Sequence, residues 1–194
     1  SNSEISFHLS SLISYCLIKK NQEGSNDYFL ELWDLYDVIL KNDLYSTKKC
    51  TYLDIWLYSS ILLLGLKLEL HDDVLKFINK YSKRVKPDEI KNIYNLSFAY
   101  YYYEKREFNE SLNFAKKIKI SNFIFKYDIK NLLVKIYYEL QYFDNLDYIL
   151  SAYRGFLKND RILNPKLKKQ FEKFLKYTEK LYKSSVETKS EIEF

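Results

Sequence analysis

Methionine is absent from these 194 residues, while glycine occurs three times, proline twice and cysteine twice. Each shortage excludes something. Sheet corners and tight hairpins draw on glycine and proline, so a chain poor in both reads as long helices with short connections, an all-α fold. Cys16 and Cys50 stand alone with no CxxC pair, which argues against a disulfide framework and fits small buried apolar residues in a reducing compartment. The most apolar stretch, Ile61 to Leu66 with flanks from Trp56 to Leu70, is broken by Ser59, Ser60, Gly65, Lys67 and Glu69. It falls short of the ~20 residues that cross a bilayer and reads as a central helix buried on most sides. A chain that begins Ser-Asn and lacks methionine is expected to be a fragment of a longer protein. On what remains, a cytoplasmic location is expected.

The inventory for catalysis is equally thin. His8 and His71 are the only histidines, with no HExxH-type spacing and no cysteine pair to complete a metal site. Gly24, Gly65 and Gly155 are each isolated, so no phosphate-cradling loop exists. Cys16 with His8, or Cys50 with His71, would lack an orienting third group and oxyanion donors. The chain is therefore expected to be non-catalytic, with no cofactor and no metal.

What is abundant is aromatic. Twenty tyrosines and thirteen phenylalanines look like a ligand-stacking composition, yet Tyr, Phe, Lys, Asn and Ile share AT-rich codons and arginine stands only at 84, 106, 154 and 161. Nucleotide bias accounts for most of this. Net charge is +5, from 31 basic and 26 acidic residues, a mixed surface and a weak pointer to polyanions.

The organisation is repetitive. Tyr102-Tyr103-Glu104 followed by Phe108 recurs as Tyr137-Tyr138-Glu139 followed by Phe143, an offset of 35 residues between 108 and 143. Periods near 34 residues belong to stacked helical hairpins, because one hairpin cannot bury its apolar face alone. Three-four apolar spacing places hairpins at about 5–42, 52–84, 89–119 and 125–158. Capping is expected from Ser25-Asn26-Asp27, near His71-Asp72, and from Asp88. Asn164-Pro165 is the clearest start signal, opening a last helix over 165–183. On that helix Leu167, Phe171, Phe174, Thr178 and Leu181 form an expected inward stripe. Lys166, Lys169, Lys173, Lys176, Lys180 and Lys183 form a solvated one, as suits a solenoid cap. Residues 184–194 lack sustained periodicity and are expected to be a flexible tail. Phe108 and Phe143 are expected to wedge at equivalent turns and bury most of a ring. Glu104 and Glu139 recur with the repeat and point to a structural role near the turn.

At the third and fourth hairpins the chain resembles the tetratricopeptide repeat (TPR) family. The residues that carry the likeness are Phe98, Ala99, Tyr102, Phe108, Ser111 and Leu112 in one copy and Leu133, Val134, Tyr137, Phe143 and Leu146 in the other. The family's glycine before the turn is replaced by Arg106 and Gln141. The general look is also similar to uncharacterised bacterial helical-repeat proteins. The resemblance implies an α-solenoid of about four antiparallel hairpins with a capping helix, and a concave groove lined by the first helix of each hairpin. On that register the partner-binding groove would comprise Leu96, Tyr100, Tyr103, Asn131, Lys135 and Tyr138, extended to Ser59, Leu63 and Leu66 in the second hairpin. The implied function is a protein-protein interaction scaffold for a peptide or partner protein, aromatic anchors carrying much of the energy. The alternative reading is nucleic-acid or other polyanion binding through the lysine stripe with Arg154, Lys158 and Arg161. Glu172 and Glu179 between the lysines weigh against it.

Overall fold

The computed structural model of the chain describes residues 12, 13, 15, 27–46, 51–119 and 125–192, with side chains up to 184 apart from that of residue 27. Among the described residues there are eight α-helices and no strand, so the all-α reading holds. The chain separates into two compact units, Ser1–Lys105 and Arg106–Phe194. The expected helix over 5–19 and the expected caps Ser25 and Asn26 fall largely outside the described residues, as do His8, Cys16 and Cys50.

The first unit holds α1 (Asp27–Lys41), α2 (Ile55–Lys67), α3 (His71–Tyr81), a 3-10 turn (Ser82–Arg84) and α4 (Ile90–Glu104). α1 buries Leu32, Tyr36, Ile39 and Leu40 at three-four spacing, the single apolar stripe of a helix with one wet side. α2 is different. Tyr58, Ser59, Ile61, Leu62, Leu64, Gly65 and Leu66 are all buried, as the broken apolar run predicts for a central helix. Asp54 starts it, its carboxylate accepting from the backbone N–H of Trp56 (2.9 Å) and Leu57 (3.1 Å), which satisfies two of the first-turn donors.

Gly65 has a packing reason. A Cβ built there would sit 2.6 Å from Val74 Cγ2 and 2.7 Å from the Trp33 ring, so the missing side chain is what lets α1 and α3 close on α2. α2 and α4 are joined by a buried hydroxyl pair. Ser97 Oγ donates to the Ile93 carbonyl at 2.7 Å, and with its one proton spent it accepts from the Tyr58 hydroxyl at 2.9 Å.

The second unit holds α5 (Phe108–Ala115), α6 (Lys126–Glu139), α7 (Phe143–Asn159) and α8 (Pro165–Ile192). Its core joins Val134 of α6 to Leu146, Leu150, Tyr153 and Leu157 of α7 and to Leu175 and Tyr182 of α8. α8 begins as the sequence indicates: Pro165 is its first residue and Asn164 Oδ1 accepts from the Lys166 N–H at 2.9 Å.

Several expectations need correction. On α8 the inward stripe runs Phe171, Leu175, Thr178 and Tyr182, with Phe174 half-buried beside it, whereas Leu167 and Leu181 are 40% and 59% exposed. Leu181 sits one residue, or ~100°, from buried Tyr182, enough to turn it toward water. The backbone stays helical to Ile192, well past 183. No glycine or proline follows Pro165 in the sequence, so nothing in the backbone chemistry stops the helix. α3 and α4 lack side-chain caps: Leu70 and Glu89 occupy their cap positions and make no such bond. Asp73 lies inside the first turn and pairs with Lys76 at 3.0 Å, where its charge still favours the helix N-terminus. Phe108 and Phe143 are partly buried, and Glu104 and Glu139 are exposed.

The turns show a regularity that the residue types hide. Asp43, Glu69, Arg106 and Gln141 all have positive φ, between 49° and 61°. At Glu69 and Gln141 the same two backbone bonds close the helix end: Glu69 N–H to Leu66 O with Leu70 N–H to Gly65 O, and Gln141 N–H to Tyr138 O with Tyr142 N–H to Tyr137 O. These bonds satisfy carbonyls that a helix end would otherwise leave open, and glycine is the usual residue there. After Glu69, Arg106 and Gln141 a new helix begins two residues on, at His71, Phe108 and Phe143. Arg106 and Gln141 are the two positions where glycine was expected from the family resemblance.

Candidate functional site

The six groove candidates divide between the units. Leu96, Tyr100 and Tyr103 lie on α4 in the first unit; Asn131, Lys135 and Tyr138 lie on α6 in the second. Their environments differ sharply. Leu96 is 1% exposed and belongs to the core, so it offers nothing to a partner. Asn131 is half-buried and occupied: its Oδ1 accepts from the Tyr153 hydroxyl at 3.1 Å, a bond that ties α6 to α7. Tyr138 packs on the core of the second unit. Tyr100 and Tyr103 are half-buried, and Lys135 is exposed. Of the second-hairpin extension, Ser59 and Leu66 are buried and only Leu63 is exposed, at 46%. Trp56, one apolar step earlier on the same face of α2, is 54% exposed, and its exposure was not foreseen from the register.

Many of the tyrosines work as struts between helices. Besides Tyr58 and Tyr153, the Tyr127 hydroxyl donates to Asp160 Oδ2 and the Tyr182 hydroxyl donates to Asp147 Oδ1. Burial, reinforced by the acceptor carboxylate, pushes the phenols of Tyr127 and Tyr182 up to about 12. Burial also raises Tyr58 and Tyr153 well above the ordinary phenol range. None of these rings ionises near neutrality, so each remains a donor.

Asp160 is a heavily bonded acid. Its side chain, 5% exposed, accepts from Tyr127, from the backbone N–H of Ile162 (2.8 Å) and Leu163 (2.9 Å), and faces Lys126 at 3.5 Å. The Tyr127 bond foremost, then the two amides, hold its carboxyl far below the usual range. This closes the α7–α8 connection onto the start of α6. It is a structural clamp.

The lysine stripe of α8 is exposed, as are Arg154, Lys158 and Arg161. Glu179 answers two of these cations, Arg154 at 2.6 Å and Lys183 at 3.0 Å. Both bonds help hold its carboxyl below the ordinary value.

A different feature emerges in the first unit. Between α1 and α3 lies an open cleft of about 450 Å³, with Trp33, Tyr36, Ile61 and Phe77 among its apolar lining and aspartates and lysines at its rim. It contains none of the six groove candidates. The signal in sequence was available, because Asp34, Asp37 and Lys41 on one helix and Asp73, Lys76 and Lys80 on another flank buried aromatics at helical spacing. Nothing in the linear pattern said that the two helices adjoin. Among the described residues, no group of His, Cys, Asp or Glu is placed to hold a metal ion, and no helix is long and apolar enough to cross a membrane. Comparison with protein-family models, curated proteins and solved structures finds no match.

Proposed function

We propose that the chain is a non-catalytic, TPR-like helical-repeat module that binds a peptide or partner protein on exposed faces of its hairpins. The observation that supports this reading is the recurrent turn at Glu69, Arg106 and Gln141, followed each time by a new helix two residues later. A repeated supersecondary unit of this kind builds extended binding surfaces. Exposed Trp56 and Leu63 on α2, with half-buried Tyr100 and Tyr103 on α4, supply aromatic and aliphatic anchors of the sort that dominate interface energies. Lys135 is the remaining accessible candidate on α6. Binding on preformed helices needs little rearrangement. The pairing of Glu179 with Arg154 and Lys183 supports an ordinary mixed-charge surface on α8 over a polyanion site.

Quantitative affinity capture from the native cell tests the proposal, with Tyr100→Ala and Leu63→Ala as the discriminating variants and Lys173→Ala as a surface control. Partners that the parent and Lys173→Ala recover, and that the two face variants lose, support it. Identical recovery by all four chains sinks it.

A further inference from the structure

The cleft between α1 and α3 carries an inference of its own, independent of the α2, α4 and α6 faces. Trp33 of α1 and Val74 of α3 both reach the empty space over Gly65, so residue 34 lies toward the start of α3. At the other end, Lys41 of α1 lines the cleft together with Lys80 and Tyr81 of α3, and its ammonium, held charged first by Asp37, also feels the field of Tyr81, so the two C-terminal ends also adjoin. The helices therefore run side by side in the same direction. Their charges sort along the cleft, with Asp34 and Asp73 toward one end and Lys41 and Lys80 toward the other.

Some of these charges are already spent. Lys41 pairs with Asp37 at 2.6 Å and Lys76 with Asp73 at 3.0 Å. Asp34 and Lys80 have no ion-pair partner among the described residues, and Lys80 only overlies the ring of its neighbour Tyr81, 4.9 Å from the centroid. Helix dipoles explain acids in first turns and bases in last turns. They do not explain Asp34, which stands mid-helix in Asp27–Lys41. The cleft is thus a trough with an apolar floor, a carboxylate at one end and an ammonium at the other, each without an ion-pair partner among the described residues.

From Asp34 to Lys41 is seven residues along α1, about 10 Å at 1.5 Å per residue. An extended chain covers that span with about three residues. We propose that this cleft binds a short extended peptide segment with a basic side chain at one end, apolar side chains between, and an acidic side chain at the other. The basic end meets Asp34, the acidic end meets Lys80, and the apolar middle covers Trp33 and Phe77. Pockets of this size typically fix a ligand through a mostly apolar lining and a few polar groups.

Trp33 lies in the cleft, so it reports occupancy. In a Trp56→Phe background, which removes the second tryptophan, blocked Lys-Leu-Phe-Glu is titrated while Trp33 emission is followed. Saturable change is expected. Asp34→Asn and Lys80→Gln should each weaken binding about tenfold, the scale of one charge-assisted bond, and uncharged Ala-Leu-Phe-Ala should bind more weakly than Lys-Leu-Phe-Glu. Asp34→Lys should reverse preference toward Glu-Leu-Phe-Glu, a result that mere damage would not produce. Both substituted side chains are exposed, and a thermal melt of each variant verifies the fold. No saturable change at millimolar peptide overturns the proposal, as does equal affinity of the parent, Asp34→Asn and Lys80→Gln for the charged peptide. Because the cleft shares no residue with Leu63 or Tyr100, this outcome and that of the capture experiment are read separately.

Discussion

The two units solve the same problem with different chemistry. In the first, α2 and α4 are buried on most sides, the close approach of α1, α2 and α3 depends on an absent side chain at Gly65, and the polar strut across the core is neutral, Tyr58 to Ser97. In the second, α7 and α8 each bury one stripe, and two of the struts end on carboxylates, Tyr127 on Asp160 and Tyr182 on Asp147. Neutral struts do not titrate near neutrality, whereas a strut on a carboxylate weakens when the acid takes a proton. The first unit should therefore be governed by packing and the second partly by acid.

The largest expected break is in the packing of the second unit. Leu175 is fully buried at the centre of the α8 stripe, and Leu175→Ala should cost about 2–5 kcal/mol through lost transfer energy and an unfilled cavity. Leu181→Ala, on a side chain 59% exposed, should fall within about 0.5 kcal/mol of the parent. Denaturant melts of both decide the register of α8. Equal losses would restore the stripe through Leu167 and Leu181.

Asp160 comes next and tests the difference in acid response. Asp160→Ala leaves the Tyr127 hydroxyl and two backbone amides without their charged acceptor, a loss of about 2–3 kcal/mol. The sign follows from the depressed native carboxyl. Its contribution is fully present above the unfolded pKa, about 3.9, and is lost as pH falls through the much lower native value. Parent stability should decline from about pH 5 downward, and Asp160→Asn should flatten part of that decline. Urea midpoints measured across that range check it. A slope identical in parent and variant would mean that Asp160 is not the acid-sensitive clamp.

Much of this architecture was legible in the sequence, and the misses have physical causes. The helices over about 52–84, 89–119 and 125–158 were readable because apolar spacing and proline act locally. Arg106 and Gln141 were recognised as glycine positions only through the resemblance; their left-handed backbone could not be read from residue type, since neither favours it. Leu181 was misplaced because a stripe drawn at three-four steps tolerates a one-residue drift that a packed neighbour does not. Leu96 and Asn131 were assigned to a groove because the register gives a face, while burial and the reach of Tyr153 depend on residues far along the chain. The cleft between α1 and α3 required two helices about 40 residues apart in the chain to be known as neighbours.

Gly65→Ala sharpens the account of the first unit. Alanine is the better helix former by about 1 kcal/mol, so an unconstrained site would gain. Here the new methyl would meet Val74 and the rigid Trp33 ring at well under contact distance, and overpacking of that kind costs about 1–3 kcal/mol. A net loss of about 1 kcal/mol is expected, with a change in Trp33 emission as the ring shifts. A stabilised variant with unchanged emission would mean that α1 and α3 do not close on α2 as described.

The smallest effect isolates the neutral strut. Tyr58→Phe removes one hydroxyl and keeps the ring against Phe77, whose centroid lies 4.7 Å away. Ser97 keeps its own bond to the Ile93 carbonyl, so what is lost is a single accepted bond, worth about 1 kcal/mol. Because burial holds the Tyr58 phenol well above its ordinary range, the loss should be the same at every pH from about 3 to 9. Tyr127→Phe supplies the contrast: its hydroxyl serves Asp160, so its cost should shrink as pH falls and the acid protonates. Two parallel series of melts compare them. A Tyr58→Phe loss that varies with pH would mean that the Tyr58–Ser97 pair is coupled to an ionisable group, and the division between a packed unit and an acid-clamped one would fail at its simplest point.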